Sequence, residues 1–356
     1  MTNIFSDGYV EARARLLGQI DRFGLGWSRL EHPDPGPDGE ELTTDVVQIG
    51  PRDASTAIVV VSGTHGVEGF LGSALQQHIL EDQLWNRTPY DVRWMLIHAI
   101  NPWGYAWLRR VTEDNVDLNR NFVDFDDLPD NDEYTRLADA LAPNDLHPST
   151  LLKADETLWA FAEAQGQVRL QEIITRGQYD HPKGLYYGGQ EASWSQTTFR
   201  SIVEHELSHA SRVYLVDVHT GLGAYGASEI IVESPRASAI YQRAQRIWNG
   251  RVRSSVDGES LSPKLSGAID HAVVRLLPHA EVTPVALEVG TRSPLQVLQA
   301  LRADNWLHTR GDPKGRAAAA IKEQIRDAFY PDEGTWKERA LAFASDTLDD
   351  LLKTLA

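Results

Sequence analysis

Four apolar, β-branched runs stand far apart in this chain, and each stops at a polar stretch punctuated by glycine or proline. Ala57-Ile-Val-Val-Val-Ser62 leads into Gly63 and then His65-Gly-Val-Glu68. Met95-Leu-Ile-His-Ala-Ile leads into Asn101-Pro102, Arg212-Val-Tyr-Leu-Val-Asp217-Val-His219 into Thr220-Gly221, and Thr283-Pro-Val-Ala-Leu-Glu288 into Gly290-Thr291. Runs this uniformly apolar read as strands buried on both faces, as in a parallel sheet covered by helices. A helix-like segment follows the first run, from Phe70 to about Leu84, and strands and helices alternate to about residue 300. The expectation is an α/β fold: a mixed, mainly parallel central sheet with helices on both faces. Open sheets of this kind bind ligands outside the carboxyl ends of their strands, where the four polar stretches fall.

The residue types at those ends are those of a metal site. A catalytic zinc takes three protein ligands from His and carboxylate and keeps a position for water, whose pKa it lowers to about 7. His65 and Glu68, three apart in a tight turn, can reach one ion, and His219 at the end of its strand is the third candidate, giving one zinc per chain. A core histidine bound to a backbone carbonyl is the plain alternative for His219. Arg109, Arg110 and Arg120 fall in one loop region of a chain with net charge −17. Arginine binds carboxylates bidentately and polarises carbonyls, although a solvated ion-pair cluster with Glu113, Asp114 and Asp124 would use the same residues. Asp117 suits the carboxylate that accepts the second N–H of a ligand imidazole. Glu288 is either a cap or ion-pair partner, or a general base beside the metal water.

Taken together, His65-Gly-Val-Glu68, Asp117-Leu-Asn119-Arg120-Asn-Phe122, Asp217-Val-His219 and Ala286-Leu-Glu288 resemble the zinc carboxypeptidase superfamily, which also holds aspartoacylase and succinylglutamate desuccinylase. The resemblance spans roughly residues 55–295 and is strongest to a bacterial branch. It implies a carboxypeptidase-like fold with zinc on His65, Glu68 and His219. It further implies Asn119 and Arg120 on the substrate's free carboxylate, Glu288 as catalytic base, and Asp117 orienting the first histidine. The spacing R-x5-V-D-L-N-R-N-F favours Arg110 over Arg109 for polarising the scissile carbonyl, with Arg109 left as a substrate-binding candidate. The implied substrate is a small peptide or N-acyl amino acid with a free carboxylate. Gly267-Ala-Ile-Asp270 resembles the Gly-x-Ile-Asp segment of carboxypeptidases, but Val256 to Ser266, where their substrate-closing tyrosine would fall, contains none. A long insert, residues 123–211, separates the arginine block from the His219 strand and includes Gly184-Leu-Tyr186-Tyr187-Gly188-Gly189.

His205-Glu206-Leu-Ser-His209 matches H-E-x-x-H, the zincin motif, but the Arg212 strand begins too soon after it for a zincin helix to continue. A non-catalytic metal-binding module on a decayed hydrolase scaffold is the alternative of a different class. A chain of 356 residues, 42% hydrophobic, can bury a large core as one domain, residues 1–356, with its core at about 50–300. A helix at 8–24, with Val10, Ala14, Leu17, Ile20 and Phe23 on one side, and a helical segment at 313–356 are expected to pack on it. No run approaches the roughly 20 apolar residues that span a membrane. The N-terminus lacks the pattern of a signal peptide, and with 0 cysteines a cytoplasmic protein is expected. The acidic balance argues against nucleic acid, whose binding rests on phosphate neutralisation.

Overall fold

The apolar runs do form the centre of the sheet. A computed structural model describes residues 4–355. Its strands are β1 (Gly26–Glu31), β2 (Thr43–Ile49), β3 (Thr56–Val61), β4 (Val92–His98), β5 (Arg212–Thr220), β6 (Ser228–Val232), β7 (Val252–Ser254) and β8 (Glu281–Val289). They make one eight-stranded sheet in the order β1-β2-β4-β3-β5-β8-β6-β7. The middle strands β4, β3, β5 and β8 are mutually parallel, and antiparallel pairings flank them at β1–β2, β2–β4 and β6–β8.

Successive side chains of a strand point to opposite faces, and the core divides accordingly. Ile58, Val60, Leu96, Val216 and Leu287 face one layer with helices Tyr9–Phe23, Gly69–Glu81, Ala239–Ile247 and Gly334–Leu355. Val59, Val61, Met95, Leu215 and Val282 face the other with helices Trp194–Glu206 and Ile269–Leu276. The α/β architecture is therefore as expected: a mixed, mainly parallel sheet with helices on both faces.

One local expectation needs correcting. The first helix spans Tyr9–Phe23, but its buried side is Tyr9, Ala12, Leu16 and Ile20, while Val10 is 59% exposed. Polar anchors set that rotation. Tyr9 donates to Thr43 O and accepts from Thr43 N, and Arg13 Nε lies 2.7 Å from Asp45. The C-terminal segment forms two helices, Ala318–Phe329 and Gly334–Leu355. The last packs in the helical layer over one face of the sheet, where Trp336, Ala340, Ala344, Leu348, Leu351 and Leu352 join the main core. Among the described residues no helix is long and apolar enough to cross a membrane.

Candidate active site

The carboxyl ends of β3, β5 and β8 open on one side of the sheet, and the loops there bring the sequence motifs together. His65 and Glu68 lie in and beside the short turn Gly66–Glu68 that follows β3. That turn is seated against the arginine loop: Gly66 N donates to Arg110 O and Val67 N to Arg109 O. A Cβ at Gly66 would come within 2.0 Å of Gly104 C, so only glycine permits this approach. The arginine block is seated in turn on the Gly267–Asp270 segment. Phe122 N donates to Gly267 O, Ile269 N donates to Asn119 Oδ1 at 2.9 Å, and Gly267 has φ +80° with Arg120 O 2.5 Å from where a Cβ would stand.

His65, Glu68 and His219 converge, with one ligand atom from each all within 4.8 Å of one another. The Nδ1 atoms of the two imidazoles are 3.2 Å apart, and Glu68 places Oε1 3.1 Å from one and Oε2 3.1 Å from the other. Each imidazole has its far nitrogen on an aspartate: His65 Nε2 lies 3.0 Å from Asp117 Oδ1, and His219 Nε2 2.6 Å from Asp217 Oδ2. A carboxylate on Nε2 fixes the tautomer that leaves Nδ1 a lone pair for a metal. Two such lone pairs and a carboxylate facing one point are a donor set for a divalent cation, and all three residues are buried. The residues present thus fit zinc.

Charge in the site is strongly correlated. Glu68 titrates below the usual carboxylate range although burial opposes this, because His65 and Arg110 stand beside it. Asp117 is likewise held well below it against burial, by Arg110, Arg120 and His65. For His219 burial disfavours the charged ring, yet Asp217 and Glu68 raise its pKa well above the ordinary value. Glu288, paired in register with His219 across β5 and β8, goes the other way: burial, then the charge of Glu68, push it up to about 8. Its Oε1 accepts from Leu222 N at 2.9 Å.

Arg110 faces this cluster. Its Nη1 lies 2.5 Å from Glu68 Oε1 and its Nε 3.2 Å from Asp117 Oδ2. Arg109 does not. It is buried on the other side of the loop, donating to Asp304 and Asn115, and is absent from the lining of the main pocket, so its expected place among the substrate-binding residues is not where the fold puts it. The main pocket, about 120 Å³, is lined by Arg110, Asn119, Arg120, His65, His219 and Glu288 among others. Arg120 spends three N–H groups on the carbonyls of Thr175 and Asn119, which leaves part of its five-donor fork for a ligand.

The pocket also holds residues the sequence did not mark. Tyr186 arrives from the insert with a left-handed backbone, φ 54°, its ring 5.5 Å from the Arg110 guanidinium and 5.7 Å from that of Arg120. The insert is pinned there because Asp117 N donates to Tyr187 O at 2.7 Å. The glycine pair flanking Tyr186-Tyr187 was the available signal. Glu233, after β6, and Asp270 line the same pocket. Trp103 and Trp107 stack on each other 5.4 Å apart, against His308, and do not line it.

The H-E-x-x-H segment does not form a site. Helix Trp194–Glu206 ends before His209, Glu206 is ion-paired with Arg93 at 2.5 Å, and His205 Nδ1 bonds Ser201 O. The zincin alternative is thereby overturned.

A sequence-family profile described as "Protein of unknown function (DUF2817)" matches residues 5–343. No curated protein matches the chain by sequence. Among solved structures, bovine thrombin-activatable fibrinolysis inhibitor, in complex with tick carboxypeptidase inhibitor, superposes with TM-score 0.52 at 10% identity, over 98% of this chain and 97% of that one. Carboxypeptidase A from Helicoverpa armigera gives 0.50 at 12% identity, over 90% and 74%. A succinylglutamate desuccinylase from Silicibacter sp. gives 0.42 at 13% identity, over 80% and 66%. The fold is that of the zinc carboxypeptidases.

Proposed function

The chain belongs to the DUF2817 family, and from the site it carries we propose that it is a zinc-dependent hydrolase cleaving an amide bond next to a free carboxylate, in a C-terminal peptide bond or an N-acyl amino acid. The observation that carries this reading is the convergence of His65 Nδ1, His219 Nδ1 and both Glu68 oxygens, with Glu288 in register beside His219. A metal held by His65, Glu68 and His219 supplies Lewis acidity and acidifies water at neutral pH.

The chain's own groups account for the rest. Glu288 takes the proton of the attacking water on its carboxylate and passes it to the nitrogen that leaves as the C–N bond breaks. Desolvation, then the charge of Glu68, raises the pKa of that carboxyl, and the Leu222 N–H fixes its orientation. Arg110 stands where a carbonyl oxygen beside Glu68 would gain charge, and a preplaced guanidinium stabilises that charge without reorganising. Asn119 has its amide oxygen on Ile269 N, which turns its NH2 to the pocket. With the free donors of Arg120 this makes a clamp for a carboxylate.

The test is a screen of zinc-loaded protein against N-acyl amino acids and short peptides, with Glu288→Gln as control and each hit repeated as its C-terminal amide. Turnover that vanishes in the variant and on amidation supports the reading. Turnover surviving Glu288→Gln, or indifferent to the amide, would remove the base or the clamp, and no turnover on any acylated amino acid would end the hydrolase reading.

A further inference from the structure

Four carboxylates line the pocket: Asp217, Glu233, Asp270 and Glu288. Two are engaged, Asp217 by His219 and Thr64, and Glu288 by Leu222 N. The other two keep unpartnered oxygens. Neither oxygen of Asp270 has a hydrogen-bond partner, nor does Glu233 Oε2, although the residues are only 3% and 6% exposed. Ser255 and the Leu265 backbone N–H act on the Glu233 carboxyl but leave Oε2 unbonded, and among the described residues neither acid forms an ion pair. The cations that reach Glu233 through space are Arg120, whose fork is turned to Thr175 and Asn119, and Lys264, which is exposed.

Buried carboxylates without partners are costly to a fold, and an ionised carboxylate only accepts hydrogen bonds. What they lack is therefore a group with several N–H donors and a positive charge. We propose that Glu233 and Asp270 form a subsite for a cationic nitrogen of the substrate, so that the hydrolase acts on amides carrying an ammonium or guanidinium group as well as the free carboxylate. The proposal deepens the hydrolase reading and rests on it. Burial pushes Glu233 up to about 7, and burial with the charges of Asp217 and Glu233 pushes Asp270 well above the ordinary range. A cation would relieve both effects at once.

The cation can have two sources. The α-nitrogen of the leaving amino acid is part of the scissile amide and uncharged, so on that side it must be a basic side chain. On the acyl side it can be the free N-terminus of a dipeptide. Steady-state rates for N-benzoylglycyl-lysine against N-benzoylglycyl-norleucine read the first source, and glycyl-norleucine against its N-acetyl form reads the second. In one of these pairs kcat/KM should favour the charged member by roughly 10- to 100-fold, the range of a charged hydrogen bond. Binding of free L-lysine and L-norleucine, by calorimetry on the zinc-loaded and the metal-free protein, gives a readout independent of turnover.

Glu233→Gln and Asp270→Asn should each collapse the preference. The comparison within the unaltered protein stands even where a variant fails to fold. Equal rates within both pairs would overturn the subsite while leaving the hydrolase intact. Tighter binding of lysine with no hydrolysis of any substrate would instead overturn the hydrolase reading and keep the cation subsite.

Discussion

Asp117 and Asp217 decide which nitrogen each imidazole presents, and so make the site's residues separable by experiment. His219→Ala should abolish zinc retention measured by elemental analysis after dialysis, whereas His205→Ala and His209→Ala should leave one zinc per chain. The reverse pattern would move the metal to the H-E-x-x-H segment. Asp217→Asn should weaken zinc affinity by about 10- to 100-fold, as loss of an orienting carboxylate does. Glu288→Gln should keep fold and metal and lose about 10²–10⁴ in kcat. His219 and Glu288 were legible as site candidates because each stands at the end of a strand-like run, and Asp117 because it opens the Asp117-Leu-Asn119-Arg120 block. Asp217 has a signal in the sequence too, since residues two apart on a strand share a face and His219 stands two residues on. Glu233 was not legible and Tyr186 only as part of a glycine-flanked stretch without a role, because what places them is the pairing of β6 with β8 and the docking of the insert on the arginine block, contacts between segments far apart in sequence.

At the level of elements, periodicity located most pieces and misjudged how some of them sit. The span of the first helix was readable, but its facing was not, because Tyr9 and Arg13 reach polar partners on β2 that no apolar pattern records. Arg109 was misplaced for a similar reason. Its partner Asp304 sits on helix Pro294–Thr309, far along the chain, and Lys322 from helix Ala318–Phe329 completes the group at 2.6 Å. This buried group ties two helices to the loop beneath the metal site. Arg109→Ala should therefore act on stability, at about 3–5 kcal/mol for one partner removed from a buried pair, and reach catalysis only through it. Arg110→Ala also leaves buried Glu68 and Asp117 without their guanidinium, but it should lower kcat well beyond what its loss of stability explains. Chemical denaturation beside kinetics distinguishes the two, and a stable Arg109→Ala protein with a collapsed kcat would exchange their roles. The sign of the pH effect follows from Asp304. Burial would raise its pKa, but Lys322 and Arg109 lower it to about 2 from an ordinary 3.8. The unfolded chain then binds more protons between those values, so this stabilisation is complete above about pH 4 and lost as pH falls towards 2. Asp304→Asn should flatten the melting profile in that window.

At the scale of the whole molecule, the sheet brings metal-ligand candidates from distant segments to one edge. The turn after β3 carries His65 and Glu68, the end of β5 itself carries His219, and the sheet fixes their separation through the β3–β5 pairing. No neighbouring stretch of sequence could form this group by itself, so the unfolded chain has no comparable site and a metal that binds here binds the folded state. Ligand binding of that kind stabilises by RT ln(1 + [L]/Kd), about 2.7 kcal/mol at 100 times Kd. For a chain of this size that is a rise of several degrees in melting temperature. Zinc added to metal-free protein should produce this rise, growing with the logarithm of the zinc concentration once that exceeds Kd, and the gain should shrink as pH falls, because imidazole and carboxylate must shed protons to bind metal. The effect should be absent in His219→Ala, and present but with unchanged magnitude in His205→Ala. Magnesium, a hard ion that prefers oxygen ligands and octahedral geometry, should not substitute. A melting temperature indifferent to zinc in the wild-type protein, or an equal rise in His219→Ala, would mean that His65, Glu68 and His219 are brought together for some purpose other than holding a metal.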